Sequence, residues 1–252
     1  MQSQNKTFGL IGFPLGHSWS KGHFSRKFER EGLANHRYEN FEIPSIGLIG
    51  KIIRETNDLV GLNVTIPYKQ AVMSYLDEID PVALKIGAVN TIKITRYGSR
   101  FILSGYNTDI IGFKISVTRW PINTNIKALV FGSGGSSLAV KYALCQLGIE
   151  FTSVSRKIEE GFIPYEALTE EMVVDHLMWI NCTPVGMFPN IHAKLPLLYK
   201  YLTPSHYLYD LVYNPEVTGF LSMGIEAGSR VMNGRTMLYE QAEASWEIWN
   251  RI

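Results

Sequence analysis

The chain is poor in cysteine, in net charge and in long apolar runs. Its two cysteines, Cys145 and Cys182, each sit in an apolar pattern without metal or redox spacing. That excludes a zinc ribbon or a CxxC centre and suits free thiols in a reducing cytoplasm. A formal net charge of +1, with no basic run or aromatic-interleaved stripe, gives no basis for a nucleic-acid or membrane surface. No apolar stretch is long enough to cross a bilayer. Met1–Lys6 leads straight into a strand pattern without the apolar segment of a signal peptide. Six histidines are scattered without the spacing of a zinc site and read as surface or supporting groups. The expectation is therefore a cytoplasmic, metal-free protein whose partners are small molecules, as a monomer or homodimer.

What the chain does contain is 46% hydrophobic and 19% charged residues over 252 positions, which predicts an ordered protein of one large or two modest domains. Strand patterns alternate with amphipathic segments, the signature of an α/β fold with mainly parallel sheets. Strands are predicted over Thr7–Phe13, Arg37–Ile43, Leu59–Ile66, Ala88–Thr95, Arg100–Ser104, Ile126–Phe131, Glu150–Val154, Met178–Asn181, Tyr207–Leu211 and, weakly, Gly228–Met232. Helices are predicted from Ser18 to Glu31, over Ile46–Glu55, from about Asp109 to Arg119, from Gly135 to near Leu147, and over Arg235–Arg251. In the last of these, Leu238, Ala242, Trp246 and Trp249 fall at helical spacing.

Asn63-Val-Thr-Ile-Pro-Tyr-Lys69 reads as a buried strand that stops at a proline and delivers a lysine just beyond its end. Asn63 and Thr65 share a face, and Pro67 ends regular pairing. Three polar groups converging beside a sheet suit a small polyhydroxylated ligand. Taken alone, the stretch reads equally well as an ordinary strand with a surface lysine. Val130-Phe131-Gly132-Ser133-Gly134-Gly135-Ser136-Ser137 reads as a strand, a glycine turn and a helix start. Gly132 permits the turn, Gly134 lets the backbone approach a pyrophosphate, and the helix N-terminus offers N–H groups to anionic oxygens. A purely structural turn is the competing reading. At the end of the following strand, Ser155-Arg156-Lys157 carries no acid. A carboxylate there would contact the ribose 2′-hydroxyl of NAD, whereas Arg grips a 2′-phosphate, so NADP is the expected cofactor. A solvated charge pair in a loop is the alternative.

Dinucleotide chemistry at a carbonyl needs a side chain to move the proton, worth about 10²–10⁴ in rate. No Ser-x-x-x-Tyr-x-x-x-Lys helix and no zinc ligand set is present, which leaves Lys69 and Asp109 as the candidates. Asp109 also fits a helix N-cap, and both roles can coexist.

With these motifs in place the chain resembles the shikimate dehydrogenase family, along nearly its whole length and in order. The matching segments are His17-Ser18-Trp-Ser20, Asn63–Lys69, Gly87-Ala-Val-Asn90-Thr, Asn107-Thr-Asp109, Gly132–Ser137, Asn181-Cys-Thr183-Pro-Val-Gly186, Tyr209-Asp-Leu211-Val-Tyr213, and Gly234, Met237 and Gln241. The resemblance implies NADPH-dependent reduction of 3-dehydroshikimate to shikimate, in aromatic amino-acid biosynthesis. It implies a two-domain α/β protein with a cleft between the domains: a substrate domain at 1–105 plus 235–252 and a Rossmann-type NADP domain at 106–234. It implies Lys69 and Asp109 as the catalytic pair. Ser18 and Ser20 fall to the substrate carboxylate, with Tyr213 as a third donor. Asn63, Thr65, Asn90, Asp109 and Gln241 fall to the substrate ring. Gly132, Ser133, Gly134, Gly135, Ser136, Ser155, Arg156, Lys157, Thr183, Leu211, Gly234 and Met237 fall to the cofactor. For Lys69 to act near neutrality, desolvation must lower its pKa while Asp109 opposes that shift.

Some positions depart from the family pattern. Lys21 follows the second serine where proline is common, and Ile110-Ile111 replaces a glycine-containing pair. Ser155 and Lys157 replace Asn and Thr around Arg156, and Arg235-Thr236 precedes Met237. Three rival readings remain. The absence of an acid at Ser155-Arg156 disfavours an NAD-preferring quinate/shikimate dehydrogenase. The serine pair and Asn107-Thr-Asp109 disfavour a folate-linked methylene dehydrogenase. A non-catalytic ligand sensor on the same fold would have lost Lys69 or the glycine loop.

Overall fold

A computed structural model describes residues 5–16, 18–121, 125–156 and 160–251. The chain divides into two compact units, Met1–Thr108 with Ala242–Ile252, and Asp109–Gln241.

In the first unit the order is β1 (Lys6–Gly12), α1 (Trp19–Arg30), β2 (His36–Glu42), α2 (Ile49–Glu55), β3 (Leu59–Val64), β4 (Glu78–Ile79), α3 (Pro81–Ile86), β5 (Thr91–Tyr97) and β6 (Arg100–Tyr106). The sheet runs β2-β1-β3-β5-β6-β4. β1 pairs in parallel with both β2 and β3, whereas β3/β5 and β5/β6 are antiparallel. At the β5–β6 turn Tyr97 faces Arg100, and Gly98 adopts φ +62°, a conformation that favours glycine. β5 starts at Thr91 rather than Ala88, since Val89 N–H bonds the Lys69 carbonyl, outside any strand. The predicted helix over Ile46–Glu55 opens with a 3₁₀ turn at Ile46–Leu48, capped by the Ser45 hydroxyl.

β3 shows how the two faces of this sheet differ. Leu62 and Val64 join Ile11, Ile49, Ile53, Val72 and Ile92 in one core. Gly61 meets Trp249 and Asn63 meets Ser245 on the other face. There, Phe8, Phe24, Phe28, Tyr38, Ala242 and Trp249 form a second, aromatic core. The closing helix, α8 (Arg235–Asn250), thus supplies this unit with Trp246 and Trp249 from its C-terminal half. A partly buried polar cluster ties it to α1. Lys27 Nζ donates to Glu243 at 2.6 Å, and the other Glu243 oxygen lies 2.8 Å from His23 Nε2. Burial lowers the His23 pKa despite that carboxylate.

The second unit runs α4 (Asp109–Val117), β7 (Ala128–Phe131), α5 (Gly135–Gln146), β8 (Phe151–Val154), β9 (Phe162–Ile163), α6 (Glu170–Asp175), β10 (Met178–Asn181), β11 (Tyr207–Asp210), α7 (Gly219–Glu226), β12 (Arg230–Asn233) and the first part of α8. Its sheet is parallel throughout, in the order β12-β11-β10-β7-β8-β9. From the other edge this is the 3-2-1-4-5-6 order of the dinucleotide-binding fold, with its switch point between β7 and β10. Full burial of β7, β10 and β11 explains their apolar runs, which only Asn181 and Asp210 at the strand ends interrupt. The sequence reading misses β4, β9, α3, α6 and α7. It also places the last strand two residues early, since pairing runs from Arg230 to Asn233.

Among the described residues no helix is long and apolar enough to cross a membrane, and no group of His, Cys, Asp and Glu could hold a metal ion. Two expectations need correction. His206 is 1% exposed and is a core residue: its Nδ1 meets Thr203 and its Nε2 the Val173 carbonyl. Cys145, expected in an apolar setting, is exposed.

Candidate active site

The candidate residues of the first unit gather at the C-terminal ends of the parallel strands β1 and β3, where open α/β sheets hold ligands. The two strand ends touch, since a Cβ at Gly12 would lie 2.5 Å from Thr65 Cγ2. Ser18 is the N-cap of α1, and its hydroxyl accepts from Lys21 N–H at 3.2 Å. The cap uses the oxygen as acceptor and leaves the hydroxyl proton to donate elsewhere. Ser20, two residues on, is buried near the Tyr38 phenol. Thr65 and Lys69 are partly exposed. A turn closed by Tyr68 N–H on the Thr65 carbonyl brings Lys69 back toward the sheet, and the Lys69 carbonyl accepts from Val89 N–H at 2.7 Å. The Asn90 carbonyl in turn accepts from Val64 N–H at 2.8 Å. Lys69 and Asn90 are therefore stitched into adjacent backbone.

Asn63 and Asn90, 5% and 2% exposed, are bonded more deeply into the unit than the sequence suggests. Tyr38 Oη donates to Asn63 Oδ1 at 2.8 Å, and Asn63 Nδ2 donates to Ser245 Oγ at 3.0 Å. Asn90 Oδ1 accepts from Thr108 N–H at 2.7 Å. Tyr38 and Ser245 were not singled out in the sequence. The available signal was that Ser245 follows Gln241 by four residues, on the same face of α8.

The glycine loop, Ser155, Arg156, Thr183 and Leu211 follow the C-terminal ends of strands in the second unit's own sheet. Gly132 leaves β7 at φ +111°, and Gly134 caps α5, where Ser137 Oγ donates back to the Gly134 carbonyl at 2.7 Å. A Cβ on Gly134 would meet no atom within 4 Å. Chain packing therefore does not require this glycine, and its bare backbone suits a pyrophosphate over the helix N-terminus. Ser133 completes the loop, and Gly135 and Ser136 open the first turn of α5. At the end of β8, Ser155 is buried, its N–H bonded to Ile163, while Arg156 is exposed. Lys157 lies outside the described residues, as does His17. Burial pushes the nearby Tyr165 phenol up to about 12, against the pull of the Arg156 charge. These groups fit NADP: an open glycine loop, a helix N-terminus and a cation in place of an acid.

Across the switch point, Asn181 Oδ1 accepts from Thr183 N–H at 2.9 Å and from its hydroxyl at 2.7 Å. This shapes the loop that carries Thr183, and a Cβ on Gly132 would lie 3.0 Å from Thr183 Cγ2. Asp210, also not singled out in the sequence, is completely buried. It accepts from Asn181 Nδ2 at 3.0 Å, Val212 N–H at 2.9 Å and the Thr218 hydroxyl at 2.5 Å. Burial pushes its pKa up to about 7 against those donors. Burial likewise raises the Cys182 thiol and the Tyr213 phenol. Leu211 N–H bonds the Asn181 carbonyl. A Cβ on Gly234 would lie 2.1 Å from the Leu211 carbonyl oxygen, so this glycine is required by backbone packing whatever else it touches. Met237 is buried, with its carbonyl 2.4 Å from where a Gly112 Cβ would stand. Gln241 Nε2 donates to the Leu238 carbonyl. Asp109, 4% exposed, is the first residue of α4, one place inside the expected N-cap position. The structure thus brings Ser18, Ser20, Asn63, Thr65, Lys69 and Asn90 together in one unit. Asp109, Tyr213, Gln241 and the cofactor candidates lie in the other.

Residues 10–92 match the model of the shikimate dehydrogenase substrate binding domain. A shikimate dehydrogenase (NADP(+)) of Methanococcus maripaludis strain C7 is 35% identical over 99% of this chain and 92% of its own length. One of Syntrophomonas wolfei is 37% identical over 97% and 89%. The structure of shikimate 5-dehydrogenase from Thermus thermophilus in complex with NADP(H) and shikimate superposes with a TM-score of 0.84 at 29% identity, covering 97% of this chain and 93% of that one. With relatives of this identity running the length of both units, the chain belongs to the shikimate dehydrogenase family.

Proposed function

We propose that the protein catalyses the reversible NADPH-dependent reduction of 3-dehydroshikimate to shikimate. One observation carries the reading. The Asn63–Lys69 segment and the Gly132–Ser137 loop each stand at the strand ends where their own sheet would hold a ligand, and Arg156 follows β8 where an NAD site would carry an acid. Bound nicotinamide supplies or accepts the hydride.

Lys69 gives a proton to the carbonyl oxygen during reduction and takes it back in the reverse direction, with Asp109 orienting its ammonium. Ser18 and Ser20 donate hydroxyls to the substrate carboxylate, with Tyr213 as a third donor. Asn63, Thr65, Asn90, Asp109 and Gln241 hydrogen-bond the ring substituents. Such a site discriminates, because each buried polar group left without its partner costs about 1–3 kcal/mol. On the cofactor side, Gly132, Ser133, Gly134, Gly135 and Ser136 cradle the pyrophosphate. Ser155, Arg156 and Lys157 hold the 2′-phosphate. Thr183, Leu211, Gly234 and Met237 border the nicotinamide riboside.

The test follows NADPH absorbance with shikimate and NADP, then with quinate replacing shikimate, then with NAD replacing NADP. Turnover is expected with the first pair and much less with either replacement. No turnover of shikimate with NADP refutes the reading, and equal turnover of quinate refutes its substrate assignment.

A further inference from the structure

Six polar side chains meet between the sheet of the first unit and α8: Tyr38, Asn63, Asn90, Thr91, Thr108 and Ser245, none more than 5% exposed. Burying this many polar groups is unfavourable unless every one is bonded, and here they bond to one another. Ser245 is the hub. Its Oγ accepts from Asn63 Nδ2 at 3.0 Å and lies 2.8 Å from Thr91 Oγ1 and 3.2 Å from Thr108 Oγ1. Thr91 and Thr108 hydroxyls both donate to Asn90 Oδ1 at 3.1 Å. Tyr38 closes the other end, donating to Asn63 Oδ1 at 2.8 Å.

Hydroxyls can donate or accept, so they alone do not fix which way an amide faces. The fixed groups here are backbone. The Asn90 carbonyl, which only accepts, lies 3.4 Å from Asn63 Nδ2, and Thr108 N–H, which only donates, lies 2.7 Å from Asn90 Oδ1. Each amide therefore has one orientation, and Tyr38 and Ser245 hold Asn63 in its orientation from opposite ends. An apolar core at this place would need none of these residues. Polar ones here preset two amides before a ligand arrives, which lowers the ordering cost of binding.

We propose that Tyr38 and Ser245 are positioning residues for the substrate, acting through Asn63 and, by way of Thr91 and Thr108, through Asn90. The proposal rests on the reading of Asn63 as a contact to the substrate ring. Neither residue touches substrate in this scheme.

The test is a double-mutant cycle on the full-length protein. The Tyr38 ring lies stacked on Phe24, with centroids 4.7 Å apart and planes 11° from parallel, so Tyr38→Phe keeps the packing and removes only the hydroxyl. Tyr38→Phe and Ser245→Ala should each raise KM for shikimate about three- to tenfold, the span of one net hydrogen bond, with KM for NADP unchanged. In an Asn63→Ala background Tyr38→Phe should have no further effect. A full Tyr38→Phe effect in that background, an unchanged KM for shikimate in both single variants, or an equal rise in KM for NADP overturns the proposal. If Asn63→Ala itself leaves shikimate kinetics intact, the contact beneath the proposal fails, and the proposal with it. A wild-type protein that does not turn over shikimate refutes the functional reading instead.

Discussion

Replacing Gly61 by alanine tests how α8 is seated. The new Cβ would stand 2.4 Å from both Cδ1 and Nε1 of Trp249, against an ordinary carbon contact of about 3.5–4.0 Å, so the indole must move by roughly 1 Å. It has little room, because Trp249 is 6% exposed and its ring centroid lies 5.0 Å from that of Phe8 and 5.4 Å from that of Phe24. Movement also breaks the bond from Trp249 Nε1 to the Ile92 carbonyl, now 3.0 Å. Overpacking costs about 1–3 kcal/mol, and a stranded buried carbonyl about 1–3 more, for a total of roughly 2–6 kcal/mol. Trp249→Ala alone costs about 3–5 kcal/mol as a cavity. In that background the extra methyl enters empty space, and an alanine in a strand interior is favoured over glycine by about 0.5–1 kcal/mol. Gly61→Ala should then be neutral or stabilising, so the two changes couple by at least about 2 kcal/mol. Urea unfolding of the four proteins measures this, and hydrogen exchange of the β3 amides assigns the loss to the first unit. Equal costs for Gly61→Ala with and without the indole would refute the seating.

Three further outcomes are expected. Lys69→Ala should lower kcat by about 10²–10⁴ with little change in shikimate affinity, and a near-normal kcat removes Lys69 from the chemistry. Arg156→Ala should raise KM for NADP by about 10–100-fold, the worth of charge-assisted bonds to a 2′-phosphate, while KM for NAD hardly moves; equal losses contradict the phosphate role. Asp210→Asn tests the buried carboxyl of the second unit. Its folded pKa of about 7 lies above the ordinary 3.8, so the folded chain holds a proton that the unfolded chain releases between those values. The resulting stabilisation is full below the lower value and is lost as pH rises through the higher, at about 1.4 kcal/mol per pH unit or about 4 kcal/mol in all. The stability of Asp210→Asn relative to wild type should therefore rise by a few kcal/mol between about pH 4.5 and 7.5, and a difference that does not change with pH refutes the assignment.

Features legible in the sequence are those whose cause is local. The β7 run, the Gly132 turn and the start of α5 sit within ten consecutive residues, and each is set by backbone rules that need no partner. Ser18 could be read as a helix start for the same reason, and Asp109 likewise. β4 and β9 are two residues long, too short to show any period, and α3 and α6 make fewer than two turns. They exist because neighbouring strands and cores hold them. Asn63 marks where local reading ends. Its face on β3 follows from alternation alone, and its polar character on a buried face sets it apart from its neighbours. What it touches inside the chain, however, is a tyrosine 25 positions before it and a serine 182 after it. Neither carries a signal of its own, since Tyr38 looks like one more aromatic in an alternating strand and Ser245 like a small residue in a helix. Asp210 is the same case in the other unit: it stands in a quoted motif, yet its role depends on Asn181 and Thr218 meeting around it. Sequence therefore marks the polar groups that break the pattern of their own element more readily than the groups that hold them still. A supporting residue such as Tyr38 or Ser245 breaks no pattern and shows its place only through a distant partner.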